Sequence, residues 1–338
     1  MYIDKVDEKV KRYFNLLCKD YPTWLNEYIE VEELLKQQYI SMSCGTIYTD
    51  LFNNSFFYSS LDHSIGVALI VWNFTHDKKQ TLAGLFHDIA TPCFKHCVDF
   101  LNGDYMTQES TEDLTTDIIK NSKEIMKLLK RDNIKLEEVN DYHIYPIADN
   151  DTPKLSADRL EYSLSGALFI YGTRDYELIE EIYNDIEIQK DGEIELGFKT
   201  KKIARSFVKM TSELSIVYRE DKTRYSMQFI ADILKRLKDE GLIELADLYR
   251  LKESEIIKII DDSKYSEVFN KWRKAKKIKT SLDEPSGVYF VHHGSKVRYI
   301  DPLVNGERIS NICKIAKKMI DNNLNYKMNK YIYLDFNF

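Results

Sequence analysis

Apolar residues recur at helical spacing along most of the chain. Between positions 61 and 74 they follow the i, i+4, i+7, i+8, i+11 pattern that is typical of one helix face. The members of that face are Leu61, Ile65, Ala68, Leu69 and Trp72. The pattern predicts a helix over Leu61–Phe74, with His63 in its first turn and away from the apolar face.

Proline positions help to define two further helices. One is predicted over Thr81–Ala90 and should end at Thr91-Pro92, because the residue before a proline is disfavoured in the α conformation. Another should begin at Thr152-Pro153, as an N-cap and a first-turn proline, and run to about Tyr171 with Asp158 on it. The remaining predicted helices are two in the first 40 residues, broken near Tyr21-Pro22, two between Gln108 and Arg131, and single helices over Arg174–Asn184, Lys201–Val217, Thr223–Asp239 and Ile309–Asn322.

The pattern changes near Thr280. Val288–Asp301 alternates and is rich in Val and Tyr, which predicts a β-hairpin that turns at His293-Gly294-Ser295. The segment from Ser41 to Ser60 lacks a helical period and is predicted to be a loop. The chain is therefore expected to be mainly α, with a helical domain over residues 1–275 and a small α+β C-terminal region over residues 276–338.

Composition narrows the classes of partner. The 338 residues carry a net charge of -7, from 48 basic and 55 acidic side chains, which argues against nucleic acid as a partner. The charged N-terminus does not resemble a signal peptide, and no apolar run approaches the 18 residues of a membrane span. A cytoplasmic protein without membrane contact is expected. The cysteine total is 5, an odd number that fits a reducing compartment.

Four side chains offer a metal-ligand set. His63 precedes the His87-Asp88 pair by 24 positions, and Asp158 follows 70 positions later. Imidazole and carboxylate donors together suit a divalent ion such as iron, manganese, nickel or zinc better than magnesium. Spacing alone leaves the alternative that these are helix-end residues in ordinary hydrogen bonds.

Four stretches resemble the HD superfamily of metal-dependent phosphohydrolases. They are SSLDHSIGVALI (59–70), LAGLFHDIATPCFKH (82–96), QESTE (108–112) and LSADRLEY (155–162), and the closest resemblance is to the dNTP triphosphohydrolase-like members. The resemblance covers about residues 37–171. It implies an HD-domain helical bundle, a divalent metal ion (Mn, Fe, Ni, Zn or Mg) on His63, His87, Asp88 and Asp158, and a metal-bound water that hydrolyses a phosphate ester or anhydride. It also makes a homo-oligomer possible.

The chain departs from the resembled enzymes at the position of their catalytic histidine. Gln108 stands there, followed by Glu109, and glutamine cannot protonate a leaving group. Glu109 or His96 would have to take over that role, so these three residues are the catalytic candidates. His96 could instead be a packed helix-end histidine, and Glu109 could be part of a helix start.

The substrate side also differs. Ser60 replaces an arginine of the resembled enzymes and Gly166 replaces an acidic residue that contacts deoxyribose, whereas Arg159 and Tyr162 are kept as substrate-binding candidates. Asp62 is expected to orient a metal ligand, with a helix-start acid as the alternative. The leading hypothesis is hydrolysis of a nucleotide or related phosphate ester. The alternative is a catalytically reduced HD-fold module that binds or senses a nucleotide.

Overall fold

A computed structural model describes residues 1–53, 56–107, 114–191 and 193–338. The protein is mostly helical, with short strands in the second half of the chain. The helices of the first half are α1 (Tyr2–Lys5), α2 (Glu8–Leu17), α3 (Leu25–Ile29), α4 (Glu32–Leu35), α5 (Ser60–Thr75), α6 (Lys78–Phe86), α7 (Cys97–Leu101), α8 (Thr115–Asn121), α9 (Lys123–Arg131) and α10 (Ala157–Ser165), which continues as a π-helical turn over Gly166–Ile170.

The second half combines helices with two small sheets. Its helices are α11 (Tyr176–Asn184), α12 (Lys201–Val217), α13 (Asp221–Asp239), α14 (Leu245–Arg250), α15 (Glu253–Asp261), α16 (Ser266–Arg273), α17 (Ile309–Ile312) and α18 (Lys314–Leu324). Its strands are β1 (Ile186–Asp191), β2 (Glu193–Phe198), β3 (Lys279–Ser281), β4 (Phe290–Val291), β5 (Leu303–Val304), β6 (Glu307–Arg308) and β7 (Tyr331–Tyr333). One sheet has the order β1-β2-β5-β6 and the other β3-β7-β4.

Helix α5 is the central helix of the first half. The Ser59 hydroxyl accepts a hydrogen bond from the Asp62 backbone N–H, and the Asp62 carboxylate accepts one from the Ser59 N–H, which fixes the helix start. Every residue from Ser60 to Val71 is buried, so the helix is enclosed on all sides rather than on one face. The predicted helix over 61–74 is confirmed within one residue at each end.

Helix α6 ends earlier than predicted. Asp77 caps its start, and the last helical residue is Phe86 rather than Ala90. His87 and Asp88 therefore lie in the turn that follows, where the chain is no longer held to the regular helical spacing. Thr91-Pro92 does not terminate the helix, because the turn has already done so.

The helix that carries Asp158 also begins elsewhere. Its N-cap is Ser156, whose Oγ accepts a hydrogen bond of 3.2 Å from the Arg159 backbone N–H. The prediction of a start at Thr152-Pro153 was wrong. The real cap places Asp158 at the second helical position, in the first turn of α10.

The hairpin predicted over Val288–Asp301 was also wrong. Strand β4 covers only Phe290–Val291 and pairs with β7, forty residues further along the chain. From His292 to Ile300 the chain is extended but has no strand assignment in the part of the protein that the structure describes. The hairpin that does form joins β1 to β2, with Ile188 opposite Leu196, and the sequence reading missed it.

Two apolar clusters make up the core. The larger lies around α5, α10 and α12 and extends to Val304, Ile309 and Ile320. The smaller lies around α13, α15 and α16 and includes Val291 and Ile332. Residues beyond 275 therefore contribute to both clusters, and β5 pairs in parallel with β2. None of the described helices is both long and apolar enough to cross a membrane.

Candidate metal centre

Three of the four predicted ligand residues, His63, His87 and Asp88, each offer a donor atom within 4.8 Å of the others, between α5 and the turn after α6, and Asp158 on α10 approaches the two histidines. His63 Nε2 lies 3.1 Å from His87 Nε2 and 3.2 Å from Asp158 Oδ1. His87 Nε2 lies 3.7 Å from Asp158 Oδ1 and 3.8 Å from Asp88 Oδ1. Ligands that each lie about 2.1 Å from a common ion are roughly 3.0–3.4 Å apart. The His63–His87 and His63–Asp158 separations lie in this range, and the two longer ones exceed it by a few tenths of an ångström.

Both histidines direct Nε2 toward this point because Nδ1 is held elsewhere. His87 Nδ1 donates to the Gly84 carbonyl oxygen at 2.7 Å, and His63 Nδ1 contacts Oε2 of Glu161. Hydrogen bonds of this kind fix the tautomer and the ring orientation of metal-binding histidines. Both the donor atoms and the hydrogen bonds that orient them therefore fit a site for a divalent cation.

Glu161 was missed by the sequence reading. It is fully buried, three residues after Asp158, and also accepts hydrogen bonds from the Tyr58 hydroxyl at 2.6 Å and from Ser165 Oγ at 3.2 Å. The role expected of Asp62 thus belongs to Glu161. Asp62 instead accepts hydrogen bonds from Ser59 and from the Tyr2 hydroxyl. This agrees with the alternative that Asp62 is an acid at the start of a helix.

The charges in the cluster shift the acidity of its members. Burial disfavours the imidazolium form of His63, but the carboxylates of Glu161 and Asp158 outweigh it and raise the pKa of His63 to about 10. Burial raises the pKa of Asp158, yet His63 and His87 pull it down to about 2. Asp158 is therefore ionised at neutral pH, as a metal ligand must be.

A lysine that the sequence reading did not consider lies against the ligand set. Lys95 Nζ lies 2.5 Å from Asp88 Oδ2 and 3.3 Å from Ser60 Oγ, and the residue is only 6% exposed. Asp88 is buried, which alone would raise its pKa, but Lys95 and the two histidines hold the pKa well below its usual range. A serine at position 60 leaves the space that this ammonium uses.

A cavity of about 560 Å³ opens beside the cluster. Its cationic and histidine side chains are Lys95, His96, His143, Arg159, Lys296 and Arg298. Its tyrosines are Tyr142, Tyr162, Tyr171, Tyr218 and Tyr299. Four aspartates, Asp88, Asp149, Asp151 and Asp158, also line it. The cavity thus combines basic, acidic and aromatic side chains, and Lys296, Arg298 and Tyr299 come from the extended segment that was predicted to be a hairpin.

The other predicted site residues fall into two groups. Arg159 and Tyr162 line the cavity, and Arg159 Nη1 donates to Asn150 Oδ1 at 2.7 Å. His96 also lines it, with Nδ1 2.8 Å from Asp99 Oδ2, and burial lowers its pKa. Gln108 and Glu109 lie outside the described residues, so their catalytic roles stay predictions.

Comparison with known proteins shows which fold the chain shares. No known family profile matches it. It is 24% identical over 286 residues to the uncharacterized protein YdhJ of Bacillus subtilis (strain 168), across 81% of this chain and 83% of that protein. It also resembles the crystal structure of a hypothetical protein from Aquifex aeolicus, with a TM-score of 0.54 and 18% identity over 93% of both chains. The likeness to the solved structure shows a shared fold.

Proposed function

We propose that the protein is an HD-type phosphohydrolase that uses a divalent metal ion on His63, His87, Asp88 and Asp158. The observation that carries the proposal is the close grouping of His63, His87 and Asp88, with Asp158 against both histidines, from three separate segments of the chain. When bound, such an ion lowers the pKa of water from about 15.7 to roughly 7 and so supplies a nucleophile at neutral pH.

The substrate we propose is a nucleotide or a related phosphate ester. Lys296 and Arg298 line the cavity, and lysine and arginine side chains form charge-assisted hydrogen bonds with phosphate oxygens. Tyr162 and Tyr218 supply ring surfaces on which a base can stack. A volume of about 560 Å³ is within the range of small-ligand cavities.

Two cavity residues have protonation states that define what they can do. Burial raises the pKa of Tyr162 to about 12, so its hydroxyl stays protonated and can donate a hydrogen bond. His96 is neutral at pH 7 because burial lowers its pKa, and its Nδ1 is held by Asp99. Nε2 of His96 can then accept a proton or a hydrogen bond, which suits a base better than an acid.

The alternative is a nucleotide-binding or regulatory module on the same fold. What favours it is the ion pair between Asp88 and Lys95, which satisfies one metal-ligand oxygen with a side chain of the protein itself. Such a module would bind the same ligands without turning them over.

The experiment measures metal content by elemental analysis, then phosphate release from a nucleotide panel with Mn²⁺ or Fe²⁺. We expect turnover in the wild type and its loss in Asp158→Asn, while Asp239→Asn, a matched change at a distant helix end, remains active. Nucleotide-induced thermal shifts without turnover by the metal-loaded wild type would overturn the hydrolase and support the module.

A further inference from the structure

Lys95 is held in a backbone conformation that is uncommon for its residue type. Phe94 and Lys95 have φ of +64° and +47°, and consecutive non-glycine residues in the left-handed region cost free energy. The turn is fixed by the Lys95 N–H, which donates to the Pro92 carbonyl at 3.0 Å, and by the Phe94 N–H, which donates to Glu253 Oε1 at 3.0 Å. The surrounding protein therefore imposes the position of this side chain.

At this position the burial of an ammonium group also costs free energy. Lysine is almost never buried to this extent unless it is paired, and an unpaired buried charge is strongly destabilising. The partner of Lys95 is Asp88, one of the proposed metal ligands, rather than a carboxylate with no other role. A lysine that served only to pair with Asp88 would not have to line the cavity, but Lys95 does line it.

The two oxygens of Asp88 have different neighbours. Oδ1 lies 3.8 Å from His87 Nε2, whereas Oδ2 lies 2.5 Å from Lys95 Nζ and 4.0 Å from His63 Nε2. In two-metal phosphohydrolases, a pair of cations roughly 3.5–4 Å apart holds the attacking and leaving oxygens. A carboxylate that faces both histidines and also holds an ammonium places a second positive charge beside the proposed ion site.

We propose, on the basis of the phosphohydrolase function, that Lys95 is a catalytic residue that binds a phosphoryl oxygen of the substrate in place of a second metal ion. The ammonium is already at the cavity surface and fixed by Asp88 and Ser60, so it needs no rearrangement to meet an anion. The same charge repels the metal ion, so Lys95 weakens metal binding while it strengthens phosphate binding.

These two effects have opposite signs, and the test uses that difference. The probes are Mn²⁺, titrated into the metal-free full chain, and inorganic phosphate, titrated into the Mn²⁺-loaded chain, both by calorimetry. In Lys95→Met, which keeps the unbranched stem, we expect Mn²⁺ to bind roughly tenfold more tightly, because a like charge is removed. Phosphate should bind roughly tenfold more weakly, because a charge-assisted hydrogen bond is lost.

Controls separate this inference from damage to the fold and from the proposed function. Lys79→Met removes a lysine that is paired with Glu138 outside the cavity and should change neither affinity. A misfolded Lys95→Met would lose both affinities, and Lys95→Arg, which keeps the charge, should then restore phosphate binding. Unchanged phosphate affinity in folded Lys95→Met would overturn the inference even if the wild type hydrolyses nucleotides. A wild type that hydrolyses nothing contradicts the proposed function, and the opposite shifts would still identify Lys95 as the phosphate-binding cation.

Discussion

Glu161 Oε2 lies against Nδ1 of His63, so the residue that orients this metal-ligand candidate comes from the same helix as Asp158. Helix α10 therefore supplies both a candidate ligand carboxylate and the carboxylate that contacts a candidate ligand histidine. Because α5 carries His63 and α10 carries Asp158, a shift of one helix against the other would change both the Glu161–His63 contact and the separation of two of the four donors.

Replacement of Glu161 by Gln should weaken metal binding without removing a ligand. The amide cannot supply the negative charge that makes His63 a better donor, and loss of such a partner costs roughly 10–100-fold in affinity. Mn²⁺ titration of the metal-free protein measures the effect. Glu195→Gln, at another buried glutamate, which is paired with Arg308, is the control and should leave Mn²⁺ affinity unchanged. Equal affinities in wild type and Glu161→Gln would contradict the orienting role.

Gly66→Ala tests the contact between Glu161 and His63 by a change on α5. A Cβ at Gly66 would lie 2.7 Å from Glu161 Cγ and 2.8 Å from its Oε1, so the carboxylate would have to move away from His63. Alanine normally stabilises a helix interior by about 0.5–1 kcal/mol, yet here we expect lower stability and weaker Mn²⁺ binding. Urea unfolding and Mn²⁺ titration measure the two effects.

Gly84→Ala is the matched comparison within the same site. Alanine keeps the backbone carbonyl that accepts the hydrogen bond from His87 Nδ1, and its Cβ would meet only the apolar side chains of Val67 and Val71, at 3.3 and 3.4 Å, and a more distant backbone nitrogen. That variant should retain wild-type Mn²⁺ affinity. If Gly66→Ala binds Mn²⁺ as tightly as Gly84→Ala does, Glu161 does not need its present position.

Metal affinity should rise with pH. Because Glu161 and Asp158 raise the pKa of His63 to about 10, this histidine is protonated at pH 7 in the metal-free protein, and an ion must displace that proton. Below this pKa the apparent affinity should increase about tenfold for each unit of pH. Calorimetric titrations between pH 6 and 8, in buffers of different ionisation enthalpy, count the released protons. Binding that is independent of pH would show that His63 is neutral before the ion arrives.

Glu253→Gln should flatten the pH dependence of stability. Burial raises the pKa of Glu253 to about 7, although hydrogen bonds from Tyr48, Phe94 and Ser41 oppose the shift. Since the folded-state pKa lies above the ordinary value of 4.5, the stabilising contribution is complete below about pH 4.5 and is lost as pH rises through 7. The glutamine does not titrate, so the variant should lose less unfolding free energy across this interval.

Urea unfolding at pH 5 and pH 7.5 provides the measurement for both proteins. Glu267→Gln, at an exposed glutamate paired with Lys271, serves as the control and should follow the wild type. The same decrease in all three proteins would show that another group accounts for it.

The elements that could be read from the sequence are those with local causes. The bounds of α12 over 201–217 follow from its apolar spacing and were predicted correctly, as was α5 within one residue. The end of α6 was not, because the chain turns directly after Phe86, where the apolar spacing gives no stop signal. The β1–β2 hairpin was missed although its strands alternate.

The site residues also divide into those with a local sequence signal and those without one. The resemblance predicted His63, His87, Asp88 and Asp158. The structure places the first three within 4.8 Å of one another and Asp158 against both histidines, and their role as metal ligands stays a prediction. Glu161 and Lys95 were missed because each acquires its role through a contact that its own motif does not predict. Glu161 contacts His63, which lies 98 residues earlier in the chain. Lys95 contacts a carboxylate seven residues earlier through an unusual turn. Arg298 could not be found from any local pattern.

The extended segment that bears Lys296 and Arg298 has a consequence for how the protein is made. A ribosome that has synthesised the chain as far as Asp158 has delivered all four metal-ligand candidates, whereas Lys296 and Arg298, in one wall of the cavity, are translated much later. The proposed ion site and the proposed substrate chamber are therefore completed at different stages of translation.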